Sequence, residues 1–273
     1  MRARPGPTRP RGARAPGASP GGRGAGDGAD VLRLPSRVRT LVVFGGTFDP
    51  PHRAHVTGVR RALRAALGDG HALLYVPAGR NPLKESGPLA SDADRVAMLT
   101  RGLGRALRAP SGPVVRVWTG ELDGAVGSGA RGGTRSPSYT IDTLRRLRRA
   151  VPRRVALRLL IGADQAAAFH RWKDARAIVR LAEPLVLPRA GVATREALAA
   201  AMDAGFWTPR ERAAWGGRLV RMRPIDVSST AVRDALRGAG RDVRAWRAKD
   251  TLRLLPAPVA RYIAARGLYG VDG

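Results

Sequence analysis

Residues 44–55 read Phe-Gly-Gly-Thr-Phe-Asp-Pro-Pro-His-Arg-Ala-His and place two histidines at the start of a predicted helix, just after a strand and two glycines. Side chains three positions apart share a helical face, so His52 and His55 point the same way. A helix start offers free backbone N–H groups and the positive end of the helix dipole. Two imidazole donors there could hold phosphate oxygens, and Gly45 and Gly46 would let the backbone approach a ligand closely. On these residues alone a second reading stays open, a helix with two incidental histidines. The chain has only four histidines, and this turn holds two of them. Zinc fits less well, because no carboxylate or third histidine lies nearby at ligand spacing.

A second cluster lies at 226–236, Asp-Val-Ser-Ser-Thr-Ala-Val-Arg-Asp-Ala-Leu. Ser228, Ser229 and Thr230 follow a predicted strand and open a helix, with Arg233 one turn in. Capping explains one hydroxyl. Three hydroxyls and a guanidinium make a second anion site.

The elements that must carry these clusters alternate between strand and helix. Short apolar runs predict strands at 38–44, 71–76, 114–118, 155–161, 185–187 and 218–223. Helical patterns fall at 52–67, 140–150, 174–182, 194–203, 243–255 and 257–266. Ser91 starts another helix with Asp94 as its capping-box partner, and Ser229 caps the helix of the second cluster. Such alternation predicts an α/β fold, a Rossmann-like doubly wound parallel sheet with helices on both faces and a C-terminal helical segment. Ligands on such sheets bind at the carboxyl ends of the strands, where both clusters sit. Residues 1–37 form a basic tail rich in Gly, Pro and Arg that is expected to be disordered, and 38–273 one folded domain. Residues 124–137 read as a flexible Gly-rich insertion without P-loop spacing.

Composition narrows the function classes. The 273 residues are 44% apolar, enough for a sizeable core. No run is long enough for a membrane span, and the first 30 residues lack the apolar centre of a signal peptide. There is no cysteine, which excludes thiolate metal sites and a cysteine nucleophile. A cytoplasmic location is expected. The formal charge of +28 invites a nucleic-acid partner. Yet the basic residues are almost all arginines spread along the whole chain, with lysine only at 84, 173 and 249. Aromatic residues are 5% of the chain, too few for a single-strand stacking platform. No dedicated nucleic-acid partner is expected.

The stretch GGTFDPPHRAH resembles the His-x-Gly-His signature of a nucleotidyltransferase superfamily, and VSSTAVR resembles its second motif, Ile-Ser-Ser-Thr-x-x-Arg. PSYTIDTL at 137–144, IGADQAAAFHRWK at 161–173, VPAGRNPLK at 76–84 and YIAARGLY at 262–269 are similar to the bacterial nicotinate-nucleotide adenylyltransferases. The resemblance spans roughly residues 40–270. It implies transfer of AMP from ATP to nicotinic acid mononucleotide, giving the deamido form of NAD and pyrophosphate, with Mg²⁺ as cofactor. Sister acceptors, nicotinamide mononucleotide and phosphopantetheine, are the alternatives. A basic nucleic-acid-binding protein is the more distant one. A homo-oligomer stays open.

The resemblance also implies roles. His52, His55 and Lys84 would serve the phosphates, with Arg233 and the Ser228–Thr230 turn on the β/γ side. Gly45, Gly46, Thr47 and Phe48 would approach the nucleotide through their backbone. No protein metal site is expected, because Mg²⁺ would be held mainly by phosphate and water. On the acceptor side, Trp172 would face the pyridine ring, Tyr139 and Thr140 would present N–H groups to its carboxylate, and Asp164 would hold a ribose hydroxyl. The chain departs from the pattern at Ala54, which replaces the middle glycine, and at Leu83, where many relatives have histidine.

Overall fold

The structure, a computed structural model, describes residues 33–79, 87–123, 138–224, 227–246 and 248–271. The insertion at 124–137, Lys84 and most of the 1–37 tail lie outside these described residues.

The chain opens with β1 (Thr40–Gly46), then a π-helical turn (Ala54–Gly58) that runs into α1 (Val59–Leu67). Next come β2 (His71–Pro77), α2 (Asp92–Leu103), β3 (Val114–Val117), the single turn α3 (Gly120–Asp123) and α4 (Thr140–Ala150). β4 (Ala156–Gly162), α5 (Ala163–Ala167), α6 (Ala175–Leu181), β5 (Glu183–Leu187), α7 (Arg195–Ala201) and α8 (Pro209–Gly216) follow. The last elements are α9 (Ser229–Leu236), α10 (Val243–Trp246), α11 (Asp250–Arg253) and α12 (Ala257–Arg266).

The strands form one parallel sheet in the order β3-β2-β1-β4-β5. The chain winds outward from β1 to β3 and then returns to pair β4 on the other side of β1. The switch point therefore lies between β1 and β4, where open α/β sheets place their ligands. Successive residues of β1 feed opposite faces, as the two-residue period of a strand requires. Leu41 and Val43 join the core beneath α4 and α6, while Val42 and Phe44 join the core beneath α1 and α2. On α4, Ile141, Leu144 and Leu147 are fully buried, each worth about 2 kcal/mol of apolar burial. A third cluster is built by the C-terminal helices, with Val232, Leu236, Trp246 and Val259 packed on Met98 of α2. No helix among the described residues is long and apolar enough to cross a membrane.

The expected Rossmann-like α/β architecture is present, with corrections to its parts. The predicted strand at 218–223 makes only one bridge, Leu219 to Val186, before the chain leaves the sheet edge. Two backbone hydrogen bonds, Val186 N to Arg218 O and Val220 N to Val186 O, are all it shares with β5. The predicted helix at 243–255 is two short turns, α10 and α11. Ser228, not Ser229, caps α9, its hydroxyl accepting Ala231 N–H at 3.1 Å. The Ser91 cap of α2 is as expected, accepting Asp94 N–H at 3.1 Å. α8, with its Thr208–Glu211 capping box, was not anticipated.

Candidate active site

β1 ends in Gly45-Gly46, and β4 ends in Gly162 beside it. Between these strand ends opens a cavity of about 580 Å³, within the range of small-molecule sites. Every described residue that the sequence assigned to the site lines it. Gly45, Gly46, Thr47, Phe48, His52 and His55 come from the first motif. Ser228, Ser229, Thr230 and Arg233 come from the second, and Tyr139, Thr140, Asp164 and Trp172 from the acceptor segments.

The local backbone explains the first motif. Phe48 sits at φ 51° and turns its ring under Gly46. A Cβ on Gly46 would stand 2.9 Å from that ring and would force the buried ring to shift. Phe44 and Phe48 flank the His55 ring at centroid distances of 5.9 and 5.3 Å. Tyr75 donates its hydroxyl to the His55 carbonyl at 2.8 Å. The two imidazoles stack, with centroids 3.7 Å apart and planes 22° from parallel. They therefore share a face as expected, although the turn carrying His55 is π-helical rather than α-helical, a distortion common at functional sites. Ala54 lines the cavity while also packing against the C-terminal cluster, so its extra methyl has a neighbour to rest on.

Burial pushes His52 down to about 3, and the Arg189 guanidinium adds to the shift. Burial, then His52, then Arg189 hold His55 well below its ordinary value. Both rings are neutral at pH 7. The His55 Nδ1 accepts the His52 backbone N–H at 3.4 Å, which assigns its proton to Nε2 as a donor. His52 Nδ1 is buried and has no hydrogen-bond partner among the described residues.

The second motif is fastened to the first across some 180 residues. Ser229 donates its hydroxyl to Pro50 O at 3.0 Å. Arg233 donates to Asp49 O at 2.7 Å and to the Thr230 hydroxyl at 3.2 Å. The three hydroxyls thus have distinct structural duties: a cap, a tie to Pro50 and a rest for the arginine. Arg95 was not anticipated. Its fully buried guanidinium donates to Thr47 O and Ala78 O, both at 2.8 Å, and joins the loops after β1 and β2.

The acceptor side is built differently. Tyr139 is the N-cap of α4, and among the described residues no side chain caps that helix. Tyr139 and Thr140, at this helix start, line the cavity. Glu121 accepts the hydroxyls of Ser138 at 2.9 Å and Thr143 at 2.6 Å, which fixes this turn from both sides. Trp172 stacks on Phe169 at 4.7 Å, and the Lys173 ammonium lies 4.4 Å from the centre of the Tyr139 ring. Asp164 is largely exposed, 3.8 Å from Arg189 Nε.

Arg189 is the main cavity residue that sequence reasoning missed. It follows β5, donates to Val227 O at 3.2 Å and faces both histidines closely enough to depress their proton affinity. Its place just beyond a strand end was the available signal, lost among 49 basic residues. Among the described residues no group of three or more His, Asp or Glu is arranged to hold a metal.

Residues 43–235 match the family model described as cytidylyltransferase-like. A Stenotrophomonas maltophilia protein named "Probable nicotinate-nucleotide adenylyltransferase" is 34% identical over 237 residues, covering 84% of this chain and 96% of the relative. A Bordetella petrii protein of the same name is 33% identical, covering 85% of this chain and all of the relative. Among solved structures, the Plasmodium falciparum nicotinic acid mononucleotide adenylyltransferase complexed with NaAD superposes with a TM-score of 0.58 at 16% identity. That match covers 86% of this chain and 98% of the other, and shows a shared fold. Sequence motifs, sheet order and cavity agree with these relationships: the chain is a nucleotidyltransferase of the cytidylyltransferase-like family and belongs to the nicotinate-nucleotide adenylyltransferases.

Proposed function

We propose that this enzyme transfers AMP from ATP to nicotinic acid mononucleotide, forming nicotinic acid adenine dinucleotide and pyrophosphate. One observation carries the reading: both anion-binding motifs and the aromatic acceptor wall line a single cavity at the switch point of the sheet. A phosphate oxygen of the mononucleotide attacks the α-phosphorus of ATP. The new P–O bond forms as the α–β bridging P–O bond breaks, and pyrophosphate leaves. The nucleophile is already an anion, so no general base is needed. Catalysis rests on positioning and on donors aimed where charge develops.

In this reading His52 and His55 hold the phosphates as neutral donors, and Lys84, which lies outside the described residues, is assigned to the same phosphates. Arg233 and the Ser228–Thr230 turn take the β/γ side, and Arg189 adds a cation opposite the histidines. Gly45, Gly46, Thr47 and Phe48 form the floor under the nucleotide. Trp172 faces the pyridine ring, the uncapped start of α4 at Tyr139 and Thr140 takes its carboxylate, and Asp164 holds a ribose hydroxyl. Mg²⁺ brought with the nucleotide would supply charge neutralisation on the phosphates. The donor set fits that arrangement, since Asp49, the carboxylate of the histidine motif, is buried on protein donors rather than open to a cation. A cytoplasmic location belongs to the same proposal.

Pyrophosphate release with ATP and Mg²⁺, run on nicotinic acid mononucleotide, its amide and phosphopantetheine, tests this. The acid should lead in kcat/KM by roughly 10- to 100-fold, the scale of one or two charge-assisted hydrogen bonds. Equal or faster release with another acceptor would refute the acceptor assignment.

A further inference from the structure

Asp49 is nearly fully buried, and four hydrogen bonds from described residues reach it. Its Oδ2 accepts Leu89 N–H at 2.8 Å, and its Oδ1 accepts Ala90 N–H at 3.2 Å. The Tyr269 hydroxyl donates to the same Oδ1 at 2.6 Å, the length of a charge-assisted bond. The Asp49 carbonyl in turn accepts Arg233 at 2.7 Å. One residue thus links the histidine loop, the segment entering α2, the second motif and the C-terminal turn.

The chain goes out of its way to bring the phenol there. Tyr269 adopts φ 64°, between Gly267 at 59° and Gly270 at 73°. A non-glycine residue in this left-handed region costs on the order of 1 kcal/mol, which the surrounding contacts must offset. Gly270 O accepts Gly238 N–H at 3.0 Å just beyond α9, and Val271 is buried in the C-terminal cluster. The turn is therefore anchored to the same helix that carries Arg233. Burial, then the hydrogen bond to Asp49, raise the phenol well above its ordinary value, so it stays a donor throughout the neutral range.

We propose that Tyr269 is a positioning residue for AMP transfer: through Asp49 it sets the height of the Arg233 guanidinium and the histidine loop against the ATP phosphates. This rests on the AMP-transfer reading of the same cavity. A purely structural hydrogen bond would affect folding alone, and the molecule supplies a matched control. Tyr262, in α12 of the same C-terminal cluster, donates its hydroxyl to Asp94 Oδ1 at 2.8 Å, outside the cavity.

The test compares Tyr269→Phe with Tyr262→Phe in the full chain. Each loses one hydroxyl and keeps its ring. Both should lose a few degrees of melting temperature. Tyr269→Phe should also lower kcat about 10-fold and raise KM for ATP, the scale of a small misplacement of reacting groups, with KM for the mononucleotide unchanged. Tyr262→Phe should stay within about twofold of the parent in all three constants. Calorimetric ATP affinity reads the same contrast without any acceptor. A parent chain that binds ATP but makes no dinucleotide would sink the acceptor reading. Equal ATP affinity in the parent and Tyr269→Phe, or activity loss that merely follows melting temperature in both variants, would sink this one.

Discussion

The two ends of the cavity are built by different means. At the donor end, segments 48 to 184 residues apart are tied by side chains that donate to backbone carbonyls: Arg95 to Thr47, Ser229 to Pro50 and Arg233 to Asp49. The histidines are buried against aromatic walls. At the acceptor end, the contacts are side chain to side chain, and several partners are half in water. Lys173 and Asp142 lie 3.4 Å apart with about half of each side chain exposed, and Asp164 is more exposed still. Transfer at phosphorus depends on groups held to a fraction of an ångström, which a closed backbone network supplies. Recognition of a ring and a carboxylate needs a flat face and a helix start, and tolerates a softer frame.

The contrast predicts which substitutions strike turnover and which strike acceptor binding. The largest effect belongs to His55→Ala, which should cut kcat by about 10²-fold or more, as for a lost transition-state donor. Near-normal turnover would remove the histidine pair from the mechanism. Arg233→Lys comes next. It keeps the charge but loses the fork that reaches Asp49 O and Thr230 together, so kcat/KM for ATP should fall roughly 10-fold. Full activity with lysine would mean that charge alone suffices. Glu121→Gln probes the other end. It weakens the grip on Ser138 and Thr143, so KM for the mononucleotide should rise about threefold to tenfold while KM for ATP holds. If KM for ATP moved instead, the two ends would not be separable.

The last effect is on stability rather than turnover and depends on pH. His52 is neutral in the folded chain down to about pH 3, whereas in the unfolded chain it takes up a proton below about 6.5. Folding is therefore unaffected by His52 above about pH 6.5. As pH falls below that, stability is lost at up to about 1.4 kcal/mol per unit from this ring, until the folded-state value is reached. Urea titrations between pH 4 and 7 should show a shallower pH slope in His52→Gln; an unchanged slope would mean the ring is not held neutral.

Much of this molecule can be read from its residues. α4 runs over the predicted 140–150 because its apolar stripe, Ile141, Leu144 and Leu147, repeats at helical spacing. The five strands of the sheet are short apolar runs bounded by Gly and Pro. The edge segment at 218–223 failed as a strand because alternation states what a segment could pair with, and β5 offers it only one bridge. Ser228 and Ser229 are equivalent cap residues by type; which one caps is decided by Pro50 claiming the second hydroxyl. Arg95 and the Asp49–Tyr269 pair leave no local trace, because burial of a polar group against partners 17 to 220 positions away has no period. The donor chemistry was visible as motifs. The network that holds those motifs became visible only once the chain was folded.

The most direct test of AMP transfer is the product itself. With ATP, Mg²⁺ and nicotinic acid mononucleotide, mass spectrometry should find nicotinic acid adenine dinucleotide and pyrophosphate in equal amounts. In ¹⁸O-labelled mononucleotide phosphate, the label should stay in the dinucleotide and be absent from pyrophosphate. Free AMP in place of dinucleotide, or label in the pyrophosphate, would contradict the account.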